Sequence, residues 1–175
     1  MRAVYINRYG GSEVLEYGER PRPAPKPRQV LVEVHAAGVN PRDWLLREGR
    51  YVFRYLTSLP LILGSDISGV VVEAGPGTSR FRPGDAVFGM QTALGRMGGY
   101  AEYIAIDERV LAAKPANISH QEAAAVPCAG LTAYGALSRI ARAGAGSRIT
   151  VVGGSGGVGT YATQLAKALG PPSPR

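Results

Sequence analysis

Apolar and polar positions alternate along the first hundred or so residues in short runs, each closed by glycine, proline, asparagine or aspartate, which predicts strands joined by turns. Arg2–Ile6 is such a run, Tyr9-Gly10-Gly11-Ser12 breaks it, and Val14-Leu15-Glu16-Tyr17 resumes it, so a hairpin is expected. Prolines at positions 21, 23, 25 and 27 remove amide donors and fix φ, which makes that stretch an extended surface connection. Over residues 29–35, Val30, Val32 and Val34 point one way and Leu31, Glu33 and His35 the other, a strand with one buried face. Residues 40–48 carry a proline near the start and an early acid, and Gly49 follows, so a short helix is expected. Further strands are predicted at 61–64, 68–73, 86–89 and 100–106. Together they make a β-barrel-like domain of roughly eight short strands ending near residue 115.

The period then changes. Ser119-His120-Gln121-Glu122 has the form of a capping box and predicts a helix start. After Pro127 a second helix is predicted over 130–142, with Leu131, Tyr134, Leu137 and Ile140 on overlapping faces. Residues 148–152 form a β-branched apolar run of the kind buried on both sides in a parallel sheet. Directly after it, Gly154-Ser155-Gly156-Gly157-Val158-Gly159 satisfies G-x-G-x-x-G, and 160–169 reads as a helix. In that strand-turn-helix context Gly154 is expected to allow the tight turn, Gly156 to let a pyrophosphate approach, and Gly159 to let helix pack on strand. The helix start adds bare amides and a positive dipole end, so all six residues from Gly154 to Gly159 are candidate cofactor contacts.

A dinucleotide fold should then show an acid, or a base for a 2′-phosphate, about 20 residues further on. Residues 160–175 contain no Asp or Glu, and Pro171-Pro172-Ser173-Pro174-Arg175 cannot continue as a parallel strand. The expected organisation is a β-rich domain at 1–115 followed, at 116–175, by the first strand and helix of a truncated α/β, doubly wound parallel sheet.

Composition adds exclusions. The formal charge of +7 is dispersed, with no block of like charges, which speaks against a nucleic-acid surface. No apolar run approaches the ~18 residues of a membrane span. The single cysteine, Cys128, excludes an internal disulfide and fits a reducing compartment, with cytoplasm as the expected location.

Gly10-Gly11-Ser12-Glu13-Val14-Leu15, Ala37-Gly38-Val39-Asn40-Pro41, Gly64-Ser65-Asp66-Ile67-Ser68-Gly69, Arg82-Pro83-Gly84-Asp85 and Gly130-Leu131-Thr132-Ala133-Tyr134, added to the glycine turn, resemble the medium-chain dehydrogenase/reductase superfamily, in its zinc-free quinone oxidoreductase-like branch. The resemblance implies a GroES-like N-terminal domain, a Rossmann domain, NADP as the cofactor with NAD as the alternative, and hydride transfer from its reduced form, NADPH or NADH, to a quinone, enone or related carbonyl. It implies Asn40 and Tyr51 as the catalytic positions facing nicotinamide and substrate, and Thr132 as a cofactor contact near the ring. A homodimer is expected of the full-length form. Zinc-dependent cousins resemble the chain but carry Cys where Asn40 stands and His where Ser65 stands. Cys128 alone sits where a third ligand is expected, so no metal site is expected. Asp43 and Trp44 read as structural, as do His35 and His120. Two other readings stay open: a non-catalytic GroES-like interaction module, and an alcohol dehydrogenase.

Overall fold

A computed structural model describes residues 1–52, 54–91 and 97–170, which form two compact units, Met1–Ala125 and Val126–Arg175. The first unit is built on two antiparallel sheets among the described residues. Three strands, β1 (Arg2–Ile6), β2 (Glu16–Glu19) and β4 (Leu61–Ile62), make a small sheet in the order β2-β1-β4. Five more, β3 (Gln29–Gly38), β5 (Asp66–Ala74), β6 (Ala86–Met90), β7 (Tyr103–Asp107) and β8 (Leu111–Ala113), make the larger one in the order β7-β3-β5-β6-β8.

The expected hairpin forms, with Arg2 opposite Glu19 and Tyr5 opposite Glu16. Residues 20–26 take no regular structure, as their prolines require, and arginine stacking steadies them: the Arg20 guanidinium lies 3.9 Å from the Tyr5 ring centroid and that of Arg22 lies 4.2 Å from Tyr103. β3 departs from simple alternation. Leu31 is buried alongside Val30 and Val32, because the register against β5 shifts between Leu31 and Val32 and again between Val34 and Ala36. β8 gave no separate signal in the sequence, since three residues are too few to show a period.

Val30, Val32, Ile67, Val71, Phe81, Val87, Ile104, Ile106 and Leu111 fill the core of the larger sheet. A second cluster, Ile6, Val14, Leu46, Leu61, Leu63 and Met97, packs around the smaller sheet and α1 (Pro41–Arg47), with Tyr9, Tyr51 and Tyr100 against its edge. α2 (His120–Ala124) starts at a formed capping box: Ser119 Oγ accepts from Glu122 N–H at 3.2 Å and Glu122 accepts from Ser119 N–H at 2.7 Å. It packs on β3, β5 and β6. The compact units therefore part at 125/126, ten residues later than the 115/116 boundary read from the sequence, because α2 shares its apolar side with the first unit.

In the second unit, α3 (Pro127–Tyr134) begins at the proline, three residues earlier than expected, because a proline at the first helical position has no amide to lose. It runs on through a wider turn over Gly135–Ile140, closed by Ala141 N–H to Ala136 O at 2.8 Å. α4 (Gly157–Leu169) follows the glycine turn and packs on α3. The strand expected at 148–152 does not form. A parallel strand draws its stability from ladder bonds to neighbours, and among the described residues this unit offers none. Val152 is accordingly 94% exposed. The expectation that 171–175 form no strand lies outside the described residues.

Candidate functional site

In the first unit the expected catalytic position Asn40 stands at the start of α1. Asn40 occupies the N-cap with extended backbone, and Pro41 at the first helical position sets the entry. Asp43 ties the helix start, its own N–H going to the Asn40 carbonyl at 2.9 Å and its Oδ2 accepting the Asn40 N–H at 2.8 Å. Asn40 Nδ2 is buried with no hydrogen-bond partner. An amide nitrogen held away from water without an acceptor is costly, which marks it as a group awaiting one.

Asp43, read from the sequence as structural, is 2% exposed and is the hub of a polar cluster. Besides the Asn40 N–H, its Oδ2 accepts from Tyr100 Oη–H at 2.9 Å, while Oδ1 takes a long bond of 3.4 Å from Ser65 Oγ–H. Burial pushes its carboxyl above the ordinary 3.8, against the pull of these donors and of the Arg42 charge. Tyr100 is pushed up as well, by burial first and then by the charge of Asp43. The tyrosine reaches this point because Gly64 has φ of +86° and no side chain: a Cβ there would lie 2.8 Å from Tyr100 N and overlap its ring. The backbone of Tyr100 is tied on both sides, N–H to Leu63 O at 2.9 Å and O from Val4 N–H at 2.7 Å. Gly38 is equally constrained, since a Cβ would sit 2.6 Å from the Ala124 carbonyl oxygen.

Tyr51 lies just past the other end of α1, whose seven residues rise about 10 Å, so α1 separates the two expected catalytic positions. Tyr51 is half-buried against the smaller core cluster. Arg42 stands beside it, its guanidinium 5.7 Å from the ring centroid and its Nη1 donating to Gln91 O at 3.2 Å. Elsewhere in this unit a cavity of about 340 Å³, lined by Pro21, Pro23, Leu61, Ile62 and Tyr103 among others, includes neither Asn40 nor Tyr51.

Two histidines that the sequence left apart come together. His35 on β3 and His120 at the start of α2 have ring centroids 4.6 Å apart. His120 Nδ1 lies 2.8 Å from the hydroxyl of Ser68, a fully buried residue whose Oγ–H donates to Val87 O at 3.1 Å. With that proton committed, His120 donates from Nδ1. Its pKa is lowered, by burial first and then by His35 and Lys114. Partners so distant in sequence leave no local signal.

The second unit carries the glycine turn. The left-handed residue is Gly153, at φ +72°, one position before the motif, so the tight turn belongs to Gly153 and not to Gly154. Gly159 serves close packing against the turn itself and not against the expected strand, since a Cβ would overlap Gly153 O and lie 2.7 Å from Gly154 Cα. Gly154 and Gly156 meet nothing nearer than 3.6 Å and 3.4 Å, so the fold does not demand glycine there, and open space remains above the turn. Gly156 is the N-cap of α4 and has no side chain to satisfy the first-turn amides, which fits a pyrophosphate as their acceptor. Ser155 lies between these glycines, and Gly157 and Val158 open the helix. Ala129 and Gly130 of α3 face Gly157 and Tyr161 of α4. Thr132 is exposed on α3, its Oγ1–H donating to Cys128 O at 2.7 Å, which leaves the oxygen able to accept.

Among the described residues no three His, Cys, Asp or Glu converge to hold a metal ion, and no helix is long and apolar enough to cross a membrane.

Comparison with known proteins agrees with this geometry. The alcohol dehydrogenase GroES-like domain family matches residues 26–116. Human quinone oxidoreductase is 41% identical over 171 residues, covering 97% of this chain and 50% of that protein. The structure of the quinone oxidoreductase from Coxiella burnetii superposes with a TM-score of 0.91 at 35% identity, over 97% of this chain and 54% of that one. Mycobacterial Rv1454c, solved in complex with NADPH, superposes with a TM-score of 0.85 at 31% identity, over 97% of this chain and 50% of that one. The chain spans about half the length of the curated relatives it matches. The β-rich unit with the GroES-like pattern belongs to the alcohol dehydrogenase GroES-like domain family, and the chain is similar along 97% of its length to quinone oxidoreductases.

Proposed function

We propose that the protein serves in the reduction of a quinone, enone or related conjugated carbonyl by NADPH, with NADH as the alternative donor, and without a metal. The observation that carries this reading is the buried, unpartnered amide nitrogen of Asn40. A neutral N–H donor at the place of a metal ligand suits a carbonyl oxygen that gains negative charge as it is reduced. Ser65, at the other such place, is fully buried and directs its hydroxyl to Asp43, so neither position offers the thiolate or imidazole that zinc requires.

The amides of Gly157, Val158 and Gly159 would hold the cofactor pyrophosphate, with Gly154, Ser155 and Gly156 leaving room for it and the Thr132 oxygen accepting from the carboxamide. Bound there, the cofactor supplies a hydride at C4 of its nicotinamide ring. Asn40 Nδ2–H would donate to the carbonyl oxygen of the acceptor and stabilise the charge that develops on it. Tyr51, flanked by Arg42, would wall the acceptor's ring. The proton that completes the reduction comes from water. Support for the cofactor comes from the NADPH complex of mycobacterial Rv1454c, and for the acceptor class from the quinone oxidoreductases among the relatives. Cytoplasm and a homodimer belong to the same proposal, although relatives in spinach and Dictyostelium are named as chloroplastic and mitochondrial.

The test is loss of NADPH absorbance with 1,4-naphthoquinone or cyclohex-2-enone, with and without a strong chelator, for the native protein and Asn40→Ala. A rate unaffected by chelator and reduced at least tenfold in Asn40→Ala is expected. A chelator-sensitive rate, or an equal rate in the variant, would contradict the proposal.

A further inference from the structure

We infer that Asp43, pinned by Tyr100, is the positioning residue for Asn40: its carboxylate holds the Asn40 backbone and so fixes where the unpartnered Asn40 Nδ2–H stands to meet an external acceptor. The inference rests on the reading of Asn40 as a donor given above. An N-cap asparagine caps through its side-chain oxygen, so the cap makes no use of Nδ2–H. Asp43 Oδ2 holds the Asn40 N–H at 2.8 Å, while the buried Asn40 Nδ2 has no hydrogen-bond partner.

A buried carboxylate is an expensive way to hold a loop, since its desolvation is only partly repaid by hydrogen bonds. Tyr100 and Ser65 bring their hydroxyls to that same carboxylate from outside α1. Each is itself anchored: Tyr100 by Leu63 and Val4, and Ser65 through its carbonyl to Gln91 N–H at 2.8 Å. The carboxylate therefore locks the loop before α1 to the strand ends beside it, which fixes where the Asn40 amide stands. The charged and titratable neighbours are Arg42 on α1 and Asp66 at the start of β5, the latter acting on Tyr100.

The experiment is proton-nitrogen NMR of this chain, with the Asn40 backbone and Nδ2 protons identified by their loss in Asn40→Ala and followed through a pH titration. Both Asn40 signals should move together with a single midpoint, the titration of Asp43. Asp43→Asn should remove the movement. Tyr100→Phe, which deletes one hydroxyl and keeps the ring, should raise the midpoint, because the carboxylate loses a donor. Nδ2 protons that stay fixed while the backbone N–H titrates, or a Tyr100→Phe midpoint equal to the native one, would overturn the inference, and Tyr100→Phe decides it should Asp43→Asn fail to fold. Addition of cyclohex-2-enone at neutral pH reports separately on the donor role. Nδ2 protons unmoved by enone would remove that role from Asn40, whereas the pH titration alone decides whether Asp43 positions it.

Discussion

Gly159→Ala separates packing from ligand contact in the glycine turn. The new Cβ would overlap Gly153 O and stand 2.7 Å from Gly154 Cα, and both are backbone atoms that cannot swing aside as a side chain would. Ordinary contact needs roughly 3.4 Å or more, so the start of α4 must withdraw by about an ångström, an overpacking cost of roughly 1–3 kcal/mol. Alanine's better helix propensity returns at most ~1 kcal/mol, and less in the first turn, so the packing cost wins. α4 has thirteen residues, too few to stand alone in water, and it is held by α3 through Ala129 against Gly157 and Gly130 against Tyr161. Withdrawal weakens that seam. Amide hydrogen exchange along α4 should quicken about tenfold for a net cost near 1.4 kcal/mol. Gly154→Ala, whose Cβ meets nothing within 3.6 Å, should leave exchange unchanged. Equal protection in native and Gly159→Ala chains would refute the claim that this glycine exists for packing.

Three further outcomes follow from the same geometry. Ile67→Ala empties a fully buried position in the larger core and should cost about 3 kcal/mol, lowering the melting temperature of the first unit by roughly 10 °C in a calorimetric scan. His120 has a lowered pKa in the folded state, so the unfolded chain takes up its proton first; stability should be full above the ordinary value of 6.5 and fall as pH drops through the folded value, and His120→Gln should flatten that slope in a series of thermal melts. Ile140 and Val152, 84% and 94% exposed, should drive self-association at high concentration, and light scattering should show it relieved by lysine at both positions.

Period and turn chemistry made most of the fold legible. Prolines at 21 to 27, the capping box at Ser119 and the helix behind the glycine turn each have a local cause, and each forms, the helix starting at Gly157, three residues before the position read from the sequence. Three misreadings share a different origin. The strand at 148–152 needed neighbours that its own residues cannot supply, β3 buried Leu31 through bulges that no alternation announces, and α2 went with the first unit because of what it packs on. For the candidate site, the glycine turn was visible as a motif, yet the left-handed residue proved to be Gly153, since a pattern gives spacing and not φ. Asp43 passed for structural because its partners Tyr100 and Ser65 are 57 and 22 residues away. Buried polar hubs are assembled by tertiary contact, and a signal could have come only from noting an acid at the third helical position beside a proline-led cap.

The most direct test of the functional account is NADPH binding to this chain, read from the amide signals of Gly157, Val158 and Gly159 and repeated with Gly156→Val. The new Cβ would meet nothing nearer than Gly153 O at 3.4 Å, so the helix should persist while the approach to its amides is blocked. Those amides should shift with NADPH in the native chain and stay still in the variant. Signals that ignore NADPH in the native chain, or respond equally in both, would contradict the account.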